Sequence, residues 1–497
     1  MTAVTDTPCK AGPPALRRIR GDEIPPADPV PWRRRRAAAQ AQLASARMAR
    51  VRPADLDSVG APTLRLLGAD IDLDAVFAFG VMVSMLSIST LGTKAAAVIA
   101  ALTPLYLFVR RRDALPSFGR RAFLLPFPAL ALASTLWSAA PGETLKYAVE
   151  LAITVIAALL ISSAANKTAM VRAIALAFLV YVANAVALGG QVKVGVGLGG
   201  YAFSGLTESK NLIADIAGTG LVFSLSAIAI GLARRQLLWA GLFVMGALVE
   251  GYALVAARSA GALMAVLLAC VALGGLLLLT RVGRAARGWI TSMMLLVVVT
   301  AGLNFRALAE ALIRFGADVF DKDPTLTGRT YLWYRAGELM HDTPLLGRGY
   351  SAFWLQGNTD AEGLWQFAGI AARGGFNFHN TFIELRVVLG WVGAAVFFGM
   401  VALGLVLLIR RYISRPTLPL VCWMSVALYE VSRMALESIA FQQFYHPTLL
   451  LFAALGMGVG LQAREAVRKP MRHRTLPALP AVDYVRTQDG WGALARR

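Results

Sequence analysis

Apolar residues in this chain gather into long uninterrupted runs separated by short polar connections. The runs fall at about 73–92, 95–109, 122–138, 146–165, 170–189, 211–232, 237–256, 260–279, 288–305, 381–409, 417–437 and 446–463. A helix needs about 20 apolar residues to span the hydrocarbon core of a bilayer. In lipid the backbone must bond to itself, so runs of this kind are helices. The pattern predicts an all-α polytopic integral membrane protein of about twelve transmembrane helices, with the run at 95–109 the shortest.

The flanks read differently. Residues 1–70 are rich in Pro, Ala and Arg and predict a disordered, basic cytoplasmic tail without the apolar segment of a secretory signal. Residues 71–463 form the membrane domain, and residues 464–497 a polar cytoplasmic tail. Composition agrees with this division: 57% of residues are hydrophobic, 16% are charged, and the mean hydropathy is +0.60. The net charge of +20 suggests nucleic acid at first sight. Its placement before the first run, after the last and in alternate connections reads instead as a set of orientation signals and contacts for anionic membrane lipid, with no nucleic acid. With the N-terminus inside, the cytoplasmic connections collect Arg110–Arg112, Arg120 and Arg121; Lys167 and Arg172; Arg234 and Arg235; Arg281, Arg284 and Arg287; and Arg410, Arg411 and Arg415. Lys94 and Arg258 are the exceptions on the outer side, and both termini fall in the cytoplasm. Cys9, Cys270 and Cys422 have neither disulfide nor metal-site spacing.

One outer connection, residues 306–380, is far longer than the rest and is expected to be folded, since it holds Trp333, Trp354 and Trp365 among many other aromatic residues. Within it Thr327–Met340 reads as a helix. Leu332, Trp333, Ala336, Leu339 and Met340 form one apolar stripe, Thr327 is placed to cap the start, and Pro344 stops it. Such a helix could lie in the membrane interface. Arg329 falls in its first turn, where helix N-termini favour anions and a guanidinium can grip phosphate. Inside the apolar runs, Arg433 and Glu437 stand four residues apart with Glu430 one turn before, and Asp215 is a further acid at depth. Charges there pair or line a cavity; an Arg433–Glu437 ion pair is the plainer expectation, the wall of a donor groove the sharper one.

From about residue 130 to 410 the chain resembles the O-antigen ligase and polysaccharide polymerase superfamily of bacterial membrane glycosyltransferases. The resemblance rests on Leu136-Trp137-Ser138 followed by Pro141 and Leu145; on Lys210-Asn211; on Ala257-Arg258-Ser259-Ala260-Gly261; on Gly328-Arg329-Thr330 with Trp333, then Pro344-Leu345-Leu346-Gly347 and Gly349; and on His379-Asn380 with Glu384 and Gly390. It implies a bacterial inner-membrane enzyme with its active face in the periplasm and no cofactor or metal. Its donor would be a glycan linked to undecaprenyl pyrophosphate. Its acceptor would be a lipid-linked repeat unit for a polymerase or the lipid A core for a ligase. The wording of the motifs is slightly closer to exopolysaccharide polymerases.

By the same resemblance Arg258 and Arg329 bind the pyrophosphate and His379 activates the acceptor, with inversion at the sugar carbon. The residue types suit these tasks. A pyrophosphate leaving group must be met by cations, and histidine exchanges protons near neutral pH. Plainer roles exist for each: Arg258 could snorkel from a helix end, Arg329 could be a solvated loop charge, and His379 could serve only at the start of the next helix. Lys210 either touches phosphate or anchors its helix. Asn380 and Glu384 share a helix face from which His379 is rotated by about 100°, so Glu384 reads as structural or supporting. His341 and His446 lack this context, though His446 could border the site, and His473 lies in the tail. Two other classes fit the topology: a transporter or flippase of lipid-linked saccharide, which would be expected to show repeated halves, and a non-catalytic scaffold for polysaccharide assembly proteins.

Overall fold

The computed structural model describes residues 63–66, 69–194, 200–207, 209–303, 329–370, 376–460, 483–487 and 490–494. Cys9, Thr327, His473 and nearly all of the expected N-terminal tail lie outside them. The described residues all belong to one compact unit, Asp57–Arg497.

Every apolar run is helical over most of its described residues. In chain order these are α1 (Leu73–Leu86), α2 (Thr93–Arg120), α3 (Pro126–Ala133, between short 3₁₀ turns), α4 (Pro141–Ser163), α5 (Lys167–Leu188), α6 (Lys210–Ala233), α7 (Leu237–Ala256), α8 (Ala260–Leu279) and α9 (Arg284–Leu303). The long connection supplies α10 (Arg329–Asp342) and α11 (Thr359–Phe367). The chain then returns through α12 (Thr381–Ser414), α13 (Leu418–Arg433) and α14 (His446–Met457). Among the described residues seven helices, α2, α4 to α8 and α12, are long and apolar enough to cross a membrane, while α1, the α3 region and α14 are shorter apolar helices. Several starts are set by local chemistry. Asp72, Asn166, Ser209, Asn380 and Thr417 cap their helices by accepting from backbone N–H groups of the first turn. Proline opens α4, α13 and α14, where its missing N–H costs nothing.

The all-α expectation needs one amendment. Three small antiparallel hairpins are present: Thr63–Leu66 with Ala69–Asp72, Gly190–Val194 with Gly200–Gly205, and Asp483–Thr487 with Gly490–Leu494. The first straddles the boundary at residue 70 of the segment read as the N-terminal tail, and the last falls within the C-terminal one. Both are pairs of short antiparallel strands, too short for a search for long apolar runs to find.

The run at 95–109 proves to be part of the 28-residue α2, which carries on through Arg110–Arg112. Two of its flanking arginines are structural. Arg110 pairs with buried Asp74 at 3.1 Å, and Tyr106 donates to the same carboxylate at 2.7 Å. Arg121, fully buried, donates to the carbonyls of Ser162, Gly456 and Val459. Carbonyls at helix ends lack intrahelical partners, and one guanidinium with five donors serves several at once, tying α4 and α14 together.

The expected loop helix is found as α10, ending just before Pro344. Its stripe does not face lipid: Leu332, Ala336 and Leu339 are buried, and Trp333 and Met340 pack on the same core. α12 packs against α10, a cover that periodicity cannot distinguish from a membrane surface.

The segment after α10 is built into α12. Gly390, at φ 65° and ψ −160°, breaks the helix. Across the break Arg348 N–H donates to Val387 O (3.1 Å), Gly349 N–H to Val388 O (2.9 Å), Trp391 N–H to Pro344 O (3.0 Å) and Val392 N–H to Leu345 O (3.1 Å). Non-helical backbone in a spanning helix survives only where protein satisfies it, and residues 344–349 do so here. On their other side, Trp137 Nε1 donates to Leu346 O (3.0 Å), Ala139 N–H to Arg348 O (3.0 Å) and Thr144 Oγ1 to Tyr350 O (2.9 Å). The Leu-Trp-Ser turn, the Pro-Leu-Leu-Gly segment and Gly390 thus form one junction.

Candidate active site

His379 stands at φ 52°, in the left-handed region, just before α12. Asn380 follows as the cap, accepting from Ile383 N–H (3.0 Å) and donating to Ala435 O (2.9 Å). The approach to His379 is clamped from several sides. Trp333 Nε1 of α10 donates to Phe378 O at 2.8 Å. Buried Glu384 accepts from Phe378 N–H (2.7 Å), Trp354 Nε1 (2.7 Å) and Ser438 Oγ (3.1 Å), so its role is to hold the turn rather than to touch His379. Thr381 joins the same turn to the 434–445 loop, donating to Glu437 O and accepting from Ile439 N–H.

These clamps bring Glu437 to His379. Its Oε2 lies 3.2 Å from His379 Nδ1, and its Oε1 lies 3.1 Å from Arg329 Nη2. Arg329 also donates to Leu436 O at 2.6 Å. Glu437 stands in the loop beyond α13. Burial pushes its carboxyl up, but the hydrogen bond to His379 and the Arg329 charge outweigh that and hold it below the usual glutamate value. It is therefore a carboxylate oriented on an imidazole, with a guanidinium behind it.

This corrects the expected Arg433–Glu437 pair. α13 ends at Arg433, and although Glu437 N–H still donates to Arg433 O at 2.9 Å, the Glu437 carboxylate goes to His379 and Arg329. Arg433 instead forms an ion pair with Asp215 of α6 and stands 3.5 Å from Glu430. Tyr429 donates to Asp215 at 3.2 Å, and His446 Nε2 lies 3.5 Å from the same carboxylate. All are buried. Breaking such a pair strands a charge, at a cost of roughly 3–5 kcal/mol. Asp215→Leu and Arg433→Met singly are therefore expected to lower the midpoint of thermal unfolding in detergent sharply. The double variant should lose less than the sum of the two, by roughly 1 kcal/mol or more. Strict additivity would show the pair to be uncoupled.

Arg258 and Lys210 form a second group. Arg258, exposed and at φ 50°, follows the end of α7, and Lys210 Nζ donates to its carbonyl at 3.5 Å. Ser259 Oγ donates to Asn211 Oδ1 at 3.0 Å. Lys210 precedes Asp215 by about 7.5 Å of helix rise, and Asp215 holds the end of α13 from which Glu437 springs. Both groups therefore belong to one end of the bundle. Arg329 is partly committed to Glu437 and Leu436, unlike the phosphate-facing charge expected from its position. Glu437 as the partner of His379 carried no signal in the sequence, because 58 residues separate them. Among the described residues no three His, Cys, Asp or Glu side chains form a metal-holding cluster.

The fold and these residues define a multi-pass helical membrane protein with a histidine–carboxylate–arginine group at one end of its bundle. Residues 245–398 match the family model described as O-antigen ligase. Over 294 residues the chain is 32% identical to the exopolysaccharide production protein ExoQ of Rhizobium meliloti (strain 1021), a match covering 58% of this chain and 65% of that protein's length. The chain is thus similar over part of its length to an O-antigen ligase family, and it spans just under two thirds of the exopolysaccharide production protein it matches. The family match includes Arg258, Arg329 and His379 but neither Lys210 nor Glu437.

Proposed function

We propose that the protein is a glycosyltransferase that moves a glycan from undecaprenyl pyrophosphate to an acceptor sugar at the periplasmic face of the inner membrane. The observation that carries the reading is the placement of Glu437 on His379 Nδ1, backed by Arg329. In the tautomer that donates Nδ1–H to Glu437, Nε2 holds the lone pair. An acceptor hydroxyl attacking the anomeric carbon gives its proton to Nε2. The new carbon–oxygen bond forms as the bond to the pyrophosphate oxygen breaks, and that electron pair leaves with undecaprenyl pyrophosphate. Attack opposite the leaving group inverts the carbon. Glu437 stabilises the imidazolium that results. Arg258, with Lys210 beside it, meets the pyrophosphate charge, and Arg329 holds Glu437 in place.

Of the two variants of this reaction, polymerisation into exopolysaccharide is favoured over attachment to the lipid A core, on the likeness to an exopolysaccharide production protein. The test is purified full-length protein in nanodiscs with undecaprenyl-pyrophosphate-linked repeat unit and EDTA. A product ladder that disappears in His379→Ala and Arg258→Ala is the expected result. Transfer only after lipid A core is added would make the protein a ligase. Activity with neither acceptor, using the host strain's own glycan, would sink the proposal and favour a transporter of lipid-linked saccharide.

A further inference from the structure

The outward side of α10 borders a groove of about 750 Å³, within the range of small-ligand sites. Its lining includes Trp333, Tyr334, Arg335, Glu338, His341 and Asp342 from α10 and Asp360 from α11. Apart from Trp333, which clamps the turn before His379, these side chains have no task in the reaction.

Their chemistry is specific. Three carboxylates, which offer acceptors only, stand against one lining arginine, Arg335, so the lining is net acidic, which suits a ligand rich in hydroxyl donors and disfavours a phosphate or an acidic sugar. They are held in place by arginines. Arg348 pairs with Asp360 at 3.0 Å and with Asp342 at 3.5 Å, while Arg335 pairs with Glu338 and stands 3.7 Å from Asp360. Tyr334 is 65% exposed, an aromatic ring presented to solvent with an electron-rich face for the C–H groups of a pyranose. On the flank, Tyr331 packs on Phe367 with ring centroids 4.2 Å apart, fixing α11 against α10.

The groove also points at the reaction. Trp333, part of its wall, donates to the carbonyl of Phe378, the residue before His379. Arg329, at the start of the same helix, reaches Glu437. α10 is about 20 Å long, and Trp333, toward its N-terminal end, is the lining residue that contacts the turn before His379.

We propose that this groove binds the acceptor saccharide, an uncharged, hydroxyl-rich chain, and delivers its terminal hydroxyl to His379. The inference rests on the transfer reaction assigned to His379. The probe is a set of oligosaccharides made by partial acid hydrolysis of the host strain's cell-surface polysaccharide. Their binding to full-length protein in nanodiscs is followed by saturation-transfer NMR. Wild type and His379→Ala are expected to bind with the same Kd. Tyr334→Ala and Glu338→Gln should weaken binding about tenfold, while Tyr334→Phe keeps it. In the transfer assay Tyr334→Ala should raise the acceptor KM by a similar factor and leave kcat in place. Wild-type protein that binds no fragment, or binding unchanged in both Tyr334→Ala and Glu338→Gln, overturns the proposal. Binding that depends on Tyr334 without any transfer by wild type would support the groove and reject the reaction. Transfer with binding indifferent to Tyr334 and Glu338 would do the reverse.

Discussion

Gly390→Ala is expected to leave little folded protein. Gly390 holds φ 65° and ψ −160°, a backbone region that is essentially glycine's alone and costs other residues on the order of 1–3 kcal/mol. A Cβ there would also run into the carbonyl of Leu345. That carbonyl accepts from Val392 N–H, so moving it away undoes the bonding that replaces the helical ladder at the break. Strain and lost bonds together should exceed roughly 4 kcal/mol, a large part of the stability of an ordinary domain. Gly399, in the same helix, is the control. A Cβ there meets nothing within 4 Å, and Gly399→Ala should be neutral or stabilise by about 1 kcal/mol. Extraction yield, size-exclusion profile and thermal midpoint in detergent would compare the two. Equal stability would mean that residues 344–349 do not carry the break in α12.

The second large effect is on catalysis alone. His379 also sits at positive φ, at 52°, where an L-residue costs roughly 1–2 kcal/mol. His379→Gly removes that strain and gives up one side-chain bond to Glu437, worth about 1 kcal/mol. The terms nearly cancel, so thermal stability should stay within about 1 kcal/mol of wild type. Transfer, by contrast, should fall by roughly 10²–10⁴ through loss of the base. Glu437→Gln should also slow transfer, since the amide cannot stabilise an imidazolium as a carboxylate does. A His379→Gly enzyme with wild-type rates would remove His379 from the chemistry. One that unfolds would make the residue's role structural.

Both predictions concern glycine or histidine in unusual backbone, and they show where sequence patterns stop being informative. The resemblance brought Gly390, His379 and Arg329 forward as separate pieces of a pattern. Nothing in their spacing says that Gly390 needs the carbonyl of Leu345 behind it, or that Arg329 spends its guanidinium on Glu437 and Leu436. The Arg433–Glu437 expectation failed for a related reason. Spacing identifies neighbours but not the partner each charge takes, and Arg433 goes to Asp215 of α6 while Glu437 goes to His379 and Arg329. Glu384 is a buried carboxylate that accepts from Phe378 N–H, Trp354 Nε1 and Ser438 Oγ, three partners that no local spacing points to.

The sequence by itself determined where helices form, because a spanning helix satisfies its backbone internally and needs only a local run of apolar residues. It also determined many helix ends, through caps such as Asn380 and Ser209 and the stop at Pro344, for these too act within a few residues. Only the tertiary structure decided the partners of the charges: Asp215 for Arg433, Asp74 for Arg110, and Glu437 for His379. It likewise decided that the apolar stripe of α10 is covered by protein. Such pairings join residues far apart in the chain. They are selected by which loops pack together and by the cost of leaving a buried charge alone, and no local pattern records that choice.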